Sequence, residues 1–447
     1  MLFSNKSLYK IIIPLFIEQI LAVTIGMLDS VMVSSVGEAA VSGVSLVDTV
    51  NLLLSYIFSA LATGGAVVSS QFLGRKEYEN ARSSAKQLLY SVVFTAFVIM
   101  TLVLVSGKPM LSLLFGNVQA DVMSHARIYF FITAMSYPFL ALYNGGAALF
   151  RSMGNSKISM SVSLIMNLIN VSGNAVLIFG FHLGAAGAAA ATLFSRVIGS
   201  IIMTALLHDR KNVIYIEKLF SYRPDFKIIK SILGIGIPSG MENGMFQFGK
   251  ILTQSLISTM GTAVIAANAV AGTLSSFLYS IGGAVGLTLV TVIGRCVGAG
   301  EFEQAKLYAK KLMKIEYVGL AIMNIFLVLF GGLIISMYNL SAYSADVAYK
   351  LLMWHAVFNC TIWAVSFTLP NSFRAASDVK FPMVISILSM WIFRVGLSYL
   401  LVLYFNLGIM GVWFAMFADW IFRGSIFATR FVSGKWLTKY KPPQADG

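Results

Sequence analysis

The chain has 447 residues, of which 58% are hydrophobic and 11% charged, and its formal net charge is +14. Soluble globular domains carry about 25% charged residues, so this composition excludes a soluble globular protein and predicts a polytopic membrane protein. The net charge does not indicate a nucleic-acid partner, because the basic residues lie in short loops between apolar runs. The two cysteines, Cys296 and Cys360, lie in apolar surroundings and indicate neither a disulfide framework nor a metal site.

Apolar runs long enough to cross a bilayer as helices recur along the whole chain. They predict an all-α integral membrane protein with twelve transmembrane helices. In chain order these are expected at 11–33, 44–72, 87–107, 125–150, 158–180, 184–207, 232–258, 268–297, 315–338, 346–372, 381–404 and 408–430. A long basic connection at 208–230 follows the sixth helix. It predicts an N-lobe at 1–207 and a C-lobe at 231–447, joined by this linker.

The charges of the predicted loops alternate from one side of the membrane to the other. One side carries most of the lysines and arginines, whereas the other has only Lys108, Arg127 and Lys350. Cytoplasmic loops of membrane proteins carry the excess of basic residues. We therefore expect both termini in the cytoplasm and the protein in the plasma (inner) membrane.

The sequence repeats itself at an offset of 224 residues. Pro14 matches Pro238, Glu18 matches Glu242, and "GRKEYENARSSAKQLL" matches "GAGEFEQAKLYAKKLM" in the loop after the second predicted helix of each half. Each repeat holds six spans, an even number, so both halves cross the membrane in the same sense. Parallel repeats of this kind are typical of secondary transporters, with a site near the membrane midplane.

Asp29 lies inside the first predicted helix, where a carboxylate is costly enough to mark a functional residue. A low-dielectric environment favours the protonated form of a carboxylate, so such a group can exchange a proton for a cationic ligand. Its counterpart in the second repeat is Thr253, so the acid is not retained as a purely architectural residue would be. Asn167, Asn170 and Asn174 share one face of the fifth helix. Their amides either join helices through hydrogen bonds or line a polar cavity.

Several other polar residues and prolines inside the spans are candidates for moving or gating parts. Glu18 and Glu242 occupy equivalent places four residues after a proline, which indicates a shared structural role at a cytoplasmic gate, with substrate contact as the alternative. Pro14 and Pro238 are expected to bend or loosen the first and seventh helices. Lys250 lies well inside the seventh helix, where it would bind an acidic partner, repel cations or extend toward the interface.

Five stretches of the chain resemble the MATE family (multidrug and toxic compound extrusion). They are "IPLFIEQILAVTIGMLDSVMVSSVGEAAVSGVSL", "FRSMGNSKISM", "GAAGAAAATLFSR", "IGIPSGMENGMFQFGKILTQ" and "MWIFRVGLSYLL". Their order and spacing extend the resemblance over residues 10–435. The resemblance implies two six-helix bundles that form a V around a central cavity and work by alternating access as a cation-coupled antiporter.

The resemblance also implies a cation pocket in the N-lobe. Asp29 matches the first-helix acid of that pocket, Asn170, Asn174 and Thr192 match further positions, and Asn144 is an additional candidate. Related N-lobes often have an aspartate at the position of Asn174. With asparagine there, Asp29 is expected to be the single strong acid of the pocket, which favours proton over sodium coupling. The C-lobe acids of some members are absent, since Phe246 and Trp363 stand near their places.

These observations predict a proton-coupled antiporter that exports amphipathic, mostly cationic small molecules. It is expected to be no enzyme, to need no cofactor beyond an ion gradient, to act as a monomer surrounded by lipid, and to bind no nucleic acid. Sodium coupling, with Asp29 as a sodium ligand, is the near alternative. A flippase for lipid-linked precursors is the second alternative, and it would need many cations in its cavity, for which Lys250, Arg196 and Arg394 are the candidates.

Overall fold

Every regular element in the described part of the chain is a helix. The computed structural model describes residues 2–115, 118–217, 223–338, 340–440 and 442. The helices of the first half are α1 (Asn5–Ser34), α2 (Glu38–Gly74), α3 (Tyr78–Phe115), α4 (Ala120–Met135), α5 (Tyr137–Ser152), α6 (Ser156–Gly180) and α7 (Gly184–Leu207). Those of the second half are α8 (Phe226–Ser258), α9 (Thr262–Gly298), α10 (Phe302–Ser336), α11 (Ala342–Ala375), α12 (Lys380–Leu403) and α13 (Gly408–Val432).

The predicted all-helical membrane fold is confirmed. Among the described residues, 10 helices are long and apolar enough to cross a bilayer. The fourth predicted span consists of the two 16-residue helices α4 and α5, which are divided at Ser136 ahead of Pro138. The seventh span is α8, whose apolar sequence is interrupted by polar residues such as Glu242 and Lys250. With these two spans added, the helices account for six crossings in each half.

Equivalent turns of the two halves have the same backbone conformation. Gly37, which precedes α2, has a φ of 125°, and Gly261, which precedes α9 at an offset of 224, has a φ of 91°. Positive φ angles are easily adopted only by glycine, because it has no Cβ. His182 and Asn406, which are also 224 residues apart, have positive φ angles of 54° and 52°. The sequence repeat is therefore also a repeat of backbone conformation.

In the part of the chain that the structure describes, three membrane helices contain a π-helical turn. These turns are Ala175–Gly180 in α6, Asn359–Trp363 in α11 and Met390–Leu397 in α12. A π-turn closes its backbone hydrogen bonds over five residues instead of the four of an α-helix, so it changes the direction of the side chains that follow. Such turns are frequent at functional sites. The first begins directly after Asn174, and the third contains Arg394.

The described residues form two compact units, 5–240 and 241–440, with residues 2–4 belonging to the second. In the first unit α2 packs against α3, α4 and α5, while α6 packs between α1 and α7. In the second unit α9 packs against α10 and α11. The division between the units falls inside α8, because its first residues contact α2. Residues 218–222 of the predicted linker lie outside the described residues.

Candidate functional site

A polar cavity of about 370 Å³ lies within the first unit. Six helices border it, namely α1, α2, α4, α5, α6 and α7. Its charged, amide and phenol side chains are Asp29, Asp48, Tyr129, Tyr143, Asn167, Asn170, Asn174 and Arg196, and Thr192 contributes a hydroxyl. Cavities of a few hundred Å³ with a small number of converging polar groups are typical of small-molecule sites.

The carboxylate of Asp29 is held by two amides of α6. Asn174 Nδ2 donates to Asp29 Oδ1 at 2.8 Å. The neighbouring hydrogen-bonding groups set the orientation of the Asn170 amide. In this orientation its nitrogen donates to Asp29 Oδ1 at 2.9 Å and to Oδ2 at 3.1 Å, and its oxygen accepts from Thr192 Oγ1 at 3.2 Å. The structure thus brings together four of the residues selected from the sequence.

Helix geometry explains why these groups meet. Asn170 and Asn174 are four residues apart, so their side chains lie on the same face of α6. α6 packs against both α1, which carries Asp29, and α7, which carries Thr192. Both asparagines are almost fully buried, with 7% and 1% of their surface exposed. In this setting an amide that lost its hydrogen bonds would be costly.

One atom of this cluster is left without a hydrogen bond. Asn174 Oδ1 is buried and has no partner among the described residues. A buried acceptor without a donor is uncommon, and a water molecule, a proton-bearing group or an ion can supply the missing partner. Asn174 Oδ1 is therefore an acceptor available to a protonated group or to a cation.

Asp48 is a second carboxylate in the cavity, so the prediction that Asp29 is the single strong acid of this pocket is wrong. It lies on α2, is exposed, and accepts a hydrogen bond from Tyr129 Oη at 3.0 Å. Next to it, Asn51 accepts from Tyr137 Oη at 2.7 Å. The signal was present in the sequence, since Asp48 is an acid inside an apolar helix and meets the same criterion that selected Asp29.

Arg196 is the single cation that lines this cavity in the described part of the chain. Its Nη1 donates to Ser136 Oγ at 2.6 Å, at the break between α4 and α5. It is near enough to Asp48 and Asp29 to interact electrostatically with both. Over the described ranges, however, it forms no ion pair with either carboxylate within 4.0 Å. The two acids therefore remain accessible to a mobile cation.

The remaining amide candidates occupy different places. Asn167 lines the cavity and makes one long contact, in which its Nδ2 donates to Ser163 Oγ at 3.4 Å. Asn144 lies half-buried on α5 and is not part of the cavity lining. The structure thus brings Asn167, but not Asn144, to the cavity that contains Asp29.

Glu18 and Glu242 form corresponding buried ion pairs in the two units. Arg151 Nη1 lies 3.5 Å from Glu18 Oε1, and Ser159 Oγ donates to Glu18 Oε2 at 2.8 Å. Arg374 Nη2 lies 2.6 Å from Glu242 Oε2. Each arginine follows the phenylalanine of an "FR" pair that the two repeats share. Neither glutamate lines the cavity of about 370 Å³ described above.

The other candidates lie within the long helices or in the second unit. Pro14 and Pro238 are interior residues of α1 and α8, which continue on both sides of them. Lys250 lines a separate cavity of about 190 Å³ in the second unit, to which Arg394 also contributes. Phe246, at the place of a family acid, stacks under Arg394 and Arg423 at 5.2 and 5.6 Å.

No group of three or more His, Cys, Asp or Glu side chains within the described ranges could hold a metal ion. The oxygen atoms that converge near Asp29 come instead from one carboxylate, two amides and a hydroxyl. Such a set suits a proton or a weakly held monovalent cation better than a divalent metal, which is bound mainly by several carboxylates or imidazoles.

The chain is similar to known transporters over almost its whole length. It is 28% identical to the uncharacterized transporter YisQ of Bacillus subtilis over 441 residues, which is 97% of this chain and 95% of YisQ. It is 25% identical over 439 residues to the probable multidrug resistance protein NorM of Thermotoga maritima, covering 97% and 93% of the two chains. A transporter of the MOP superfamily from Pyrococcus furiosus has the same fold, with a TM-score of 0.89, 20% identity and 96% of each chain covered.

The family assignment rests on two matches to one sequence model. The MatE family model matches residues 14–176 and again residues 238–400. The two matches begin and end 224 residues apart, which is the offset of the internal repeat. Together they cover well over half of the chain. The chain therefore belongs to the MatE family of multidrug and toxic compound extrusion transporters, as its resemblance to that family predicted.

Proposed function

We propose that this protein exports amphipathic, mostly cationic small molecules by alternating access, in exchange for protons. Relatives named as probable multidrug resistance proteins, such as NorM of Thermotoga maritima and NorM of Bacillus subtilis, support drug export. The proposal includes no chemical reaction and no organic cofactor. The proton gradient supplies the driving force.

The observation that carries proton coupling is the set of neutral groups around Asp29. Its two carboxylate oxygens receive hydrogen bonds from the amides of Asn170 and Asn174. Within the described part of the chain no lysine, arginine or histidine forms an ion pair with it. A proton can therefore bind to Asp29 without breaking an ion pair, and its release does not require one to form.

The amide of Asn174 can serve both protonation states of Asp29. When Asp29 is ionised, Asn174 Nδ2 donates to it, as in this structure. When Asp29 is protonated, a half-turn of the amide would direct Asn174 Oδ1, which has no other partner, toward the carboxyl O–H. The packing of α1 on α6 would persist while one negative charge disappears. A cationic ligand in the cavity would then lose part of its electrostatic attraction and leave.

Asp48 supports a cationic substrate in the same cavity. Its exposed carboxylate lies beside the phenol of Tyr129, and Tyr143 and Met166 also line the cavity. An acid next to aromatic and thioether groups suits an organic cation with an apolar skeleton, through charge attraction, cation–π contacts and adaptable packing. We assign Asp48 to substrate binding and Asp29 to proton exchange.

Sodium coupling remains the second candidate, and one observation favours it. Asn174 Oδ1 is buried without a partner and lies in the cluster that contains the oxygen atoms of Asp29 and Thr192. Hard cations are bound by sets of carboxylate, amide and hydroxyl oxygens. A flippase for lipid-linked precursors is less well supported, because the described lining residues of the two cavities include only three cations, Arg196, Lys250 and Arg394, and the first cavity also has two carboxylates.

The distribution of basic loops supports an orientation with the more basic side in the cytoplasm. We propose that both termini are cytoplasmic, that the protein lies in the plasma (inner) membrane and that it acts as a monomer.

Pro14 and Pro238 are proposed hinge positions, since an interior proline removes one helical hydrogen bond. Glu18 and Glu242, with their arginine partners, are proposed to stabilise the cytoplasmic gate.

Gradient-driven transport in vesicles tests this function. The purified protein would be reconstituted into proteoliposomes, and the flux of a fluorescent organic cation would be followed under an imposed pH gradient at constant sodium. The same flux would then be measured under a sodium gradient at constant pH. Proton coupling predicts that the pH gradient drives the dye and the sodium gradient does not.

Asp29→Asn is the informative variant, because asparagine keeps the shape of the side chain but cannot exchange a proton. We expect it to abolish the flux driven by the pH gradient. Asp121→Asn is the matched control, since Asp121 is an exposed acid in the first turn of α4 that does not line the cavity. Equal pH-driven flux in Asp29→Asn and the parent would contradict the proposal, and sodium-driven flux alone would favour the second candidate.

A further inference from the structure

The two units have cavities at equivalent places, but the polar residues that line them differ in charge. The second cavity, of about 190 Å³, is bordered by α8, α9, α12 and α13. At the offset of 224 that joins the two family matches, nine of its thirteen described lining residues correspond to residues that line the first cavity. Among these pairs, the replacements that change charge are Gly26 by Lys250, Asp29 by Thr253, Asp48 by Gly272, and Asn170 by Arg394. The second cavity thus lacks both acids and, among the described residues, is lined by two cations, Lys250 and Arg394, where the first is lined by Arg196 alone.

Lys250 is the unpaired charge of this cavity. It is exposed there, and its ammonium group forms no hydrogen bond or ion pair with any residue in the described ranges. A lysine that only extends toward the membrane interface would not line a polar cavity well inside a span. Its position near Arg394, another cation, increases the cost of leaving it unpaired.

Arg394 is only partly neutralised. Its Nη1 lies 3.9 Å from Asp419 Oδ2, which is at the limit of an ion pair. The other oxygen of Asp419 lies 3.5 Å from Arg423 and also accepts a hydrogen bond from Ser389. One buried carboxylate therefore faces two guanidinium groups, and with Lys250 the described part of this region has an excess of positive charge.

The rest of the lining supplies neutral donors and an apolar surface. Trp413 Nε1 donates to Asn268 Oδ1 at 3.0 Å, and Asn268 Nδ2 lies 3.4 Å from Gln254 Oε1. This arrangement uses the oxygen of Gln254 and leaves its NH2 group without a partner in the part of the chain that is described. The apolar lining includes Val412 and Met416. No carboxylate is among the lining residues described for this cavity.

We propose that the second cavity binds the carboxylate group of an amphipathic organic compound, either an anion or a zwitterion. Lys250 and Arg394 would hold the carboxylate through charge-assisted hydrogen bonds, Arg394 with its planar fork and Lys250 as a point charge. The NH2 group of Gln254 would add a neutral donor. The indole of Trp413, together with Val412 and Met416, would contact the apolar skeleton of the compound. Inorganic phosphate has no apolar part that could make these contacts.

This inference adds a substrate class to the proposed export function and rests on that function only for transport, not for binding. The test is therefore a binding measurement without any ion gradient. Isothermal titration calorimetry of the purified protein in detergent would use three probes: 2-naphthoate, its neutral analogue 2-naphthamide, and inorganic phosphate. We expect 2-naphthoate to bind at least about tenfold more tightly than 2-naphthamide, since a hydrogen bond to a charged partner contributes about one to two orders of magnitude.

Lys250→Met should weaken 2-naphthoate binding by about tenfold or more and leave the weak binding of 2-naphthamide unchanged. Lys108→Met is the matched control, because it removes a lysine from the exposed surface of α3 that does not line the cavity. Thr253→Asp places an acid where the first unit has Asp29 and should abolish 2-naphthoate binding. Lys250→Arg keeps the positive charge and should retain most of the affinity for 2-naphthoate.

Three results would overturn the inference. Equal affinity of the parent for 2-naphthoate and 2-naphthamide would exclude recognition of the carboxylate. Tighter binding of phosphate than of 2-naphthoate would assign the cavity to another class of anion. Unchanged binding in both Lys250→Met and Thr253→Asp would place the ligand elsewhere. Should Lys250→Met fail to fold, Thr253→Asp and Lys250→Arg decide the question. The vesicle flux through Asp29 tests the proposed function separately.

Discussion

Removing one partner of the ion pair between Glu242 and Arg374 should strongly destabilise the second unit. The two charged atoms lie 2.6 Å apart, and only 9% and 13% of the side-chain surfaces are exposed. Glu242→Gln leaves the guanidinium of Arg374 without its carboxylate in a largely buried place. Leaving a buried charge unpaired in this way costs about 3–5 kcal/mol. The double variant Glu242→Gln/Arg374→Met removes both charges. Its loss of stability should be smaller than the sum of the losses in the two single variants.

Thermal unfolding of the purified protein in detergent, followed by tryptophan fluorescence, would measure these effects. For a unit of roughly 200 residues, 1 kcal/mol corresponds to about 2–4 °C in Tm. Each single variant should therefore lower Tm by about 6–20 °C. The double-mutant cycle should give a coupling of about 1–3 kcal/mol in favour of the pair.

Asp346→Asn is the control for this experiment. Its partner Lys350 lies four residues along the same helix, and the two side chains are 55% and 63% exposed. Exposed helical pairs of this kind contribute about 0.5 kcal/mol or less. Our reasoning would be refuted if Glu242→Gln and Asp346→Asn lowered Tm equally, or if the effects of Glu242→Gln and Arg374→Met simply added.

Three further predictions concern the first unit. Gly64→Ala should lower the free energy of unfolding by about 1–3 kcal/mol, because the added Cβ would collide with the backbone of α8. Gly240→Ala is the control, since its Cβ would lie 3.6 Å from the nearest atom. It should leave Tm unchanged or slightly higher in the same unfolding assay. Asn174→Asp adds a second carboxylate beside Asp29 and should make Tm rise with sodium chloride but not with choline chloride, because an ion that binds only the folded state stabilises it. Asp48→Asn should weaken the binding of a fluorescent organic cation by about tenfold, measured by dye titration, since it removes a charged contact.

The helices and the repeat were predictable from the sequence because the bilayer restricts the alternatives. A membrane span must satisfy its backbone hydrogen bonds internally, so long apolar runs become helices. The break between α4 and α5 was not predicted, although Pro138 provides the local signal. The π-turns in α6, α11 and α12 were also not predicted. They depend on packing between helices that are distant in sequence, which hydrophobic periodicity does not report.

The cluster around Asp29 was partly predictable for a local reason. The spacing of Asn170 and Asn174 places both amides on one helix face, and the cost of a carboxylate in a membrane selects Asp29. Family resemblance then linked these positions to Thr192. Arg196 was considered only as a cation for a flippase, since nothing in the sequence indicates that α7 places it near acids of α1 and α2. Such proximity follows from tertiary packing alone.

The two halves illustrate how a duplicated transporter can change its chemistry while keeping its fold. The features that determine backbone shape are retained in both copies, including the positive φ angles at Gly37 and Gly261 and the buried pairs of Glu18 and Glu242 with arginines. The cavity residues are not under this constraint, because a side chain at a cavity wall can be replaced without moving a helix. Charge can therefore diverge where ligands bind while the scaffold stays fixed. By this reasoning, the difference in charge between the two cavities supports our proposal that they bind ligands of different chemistry.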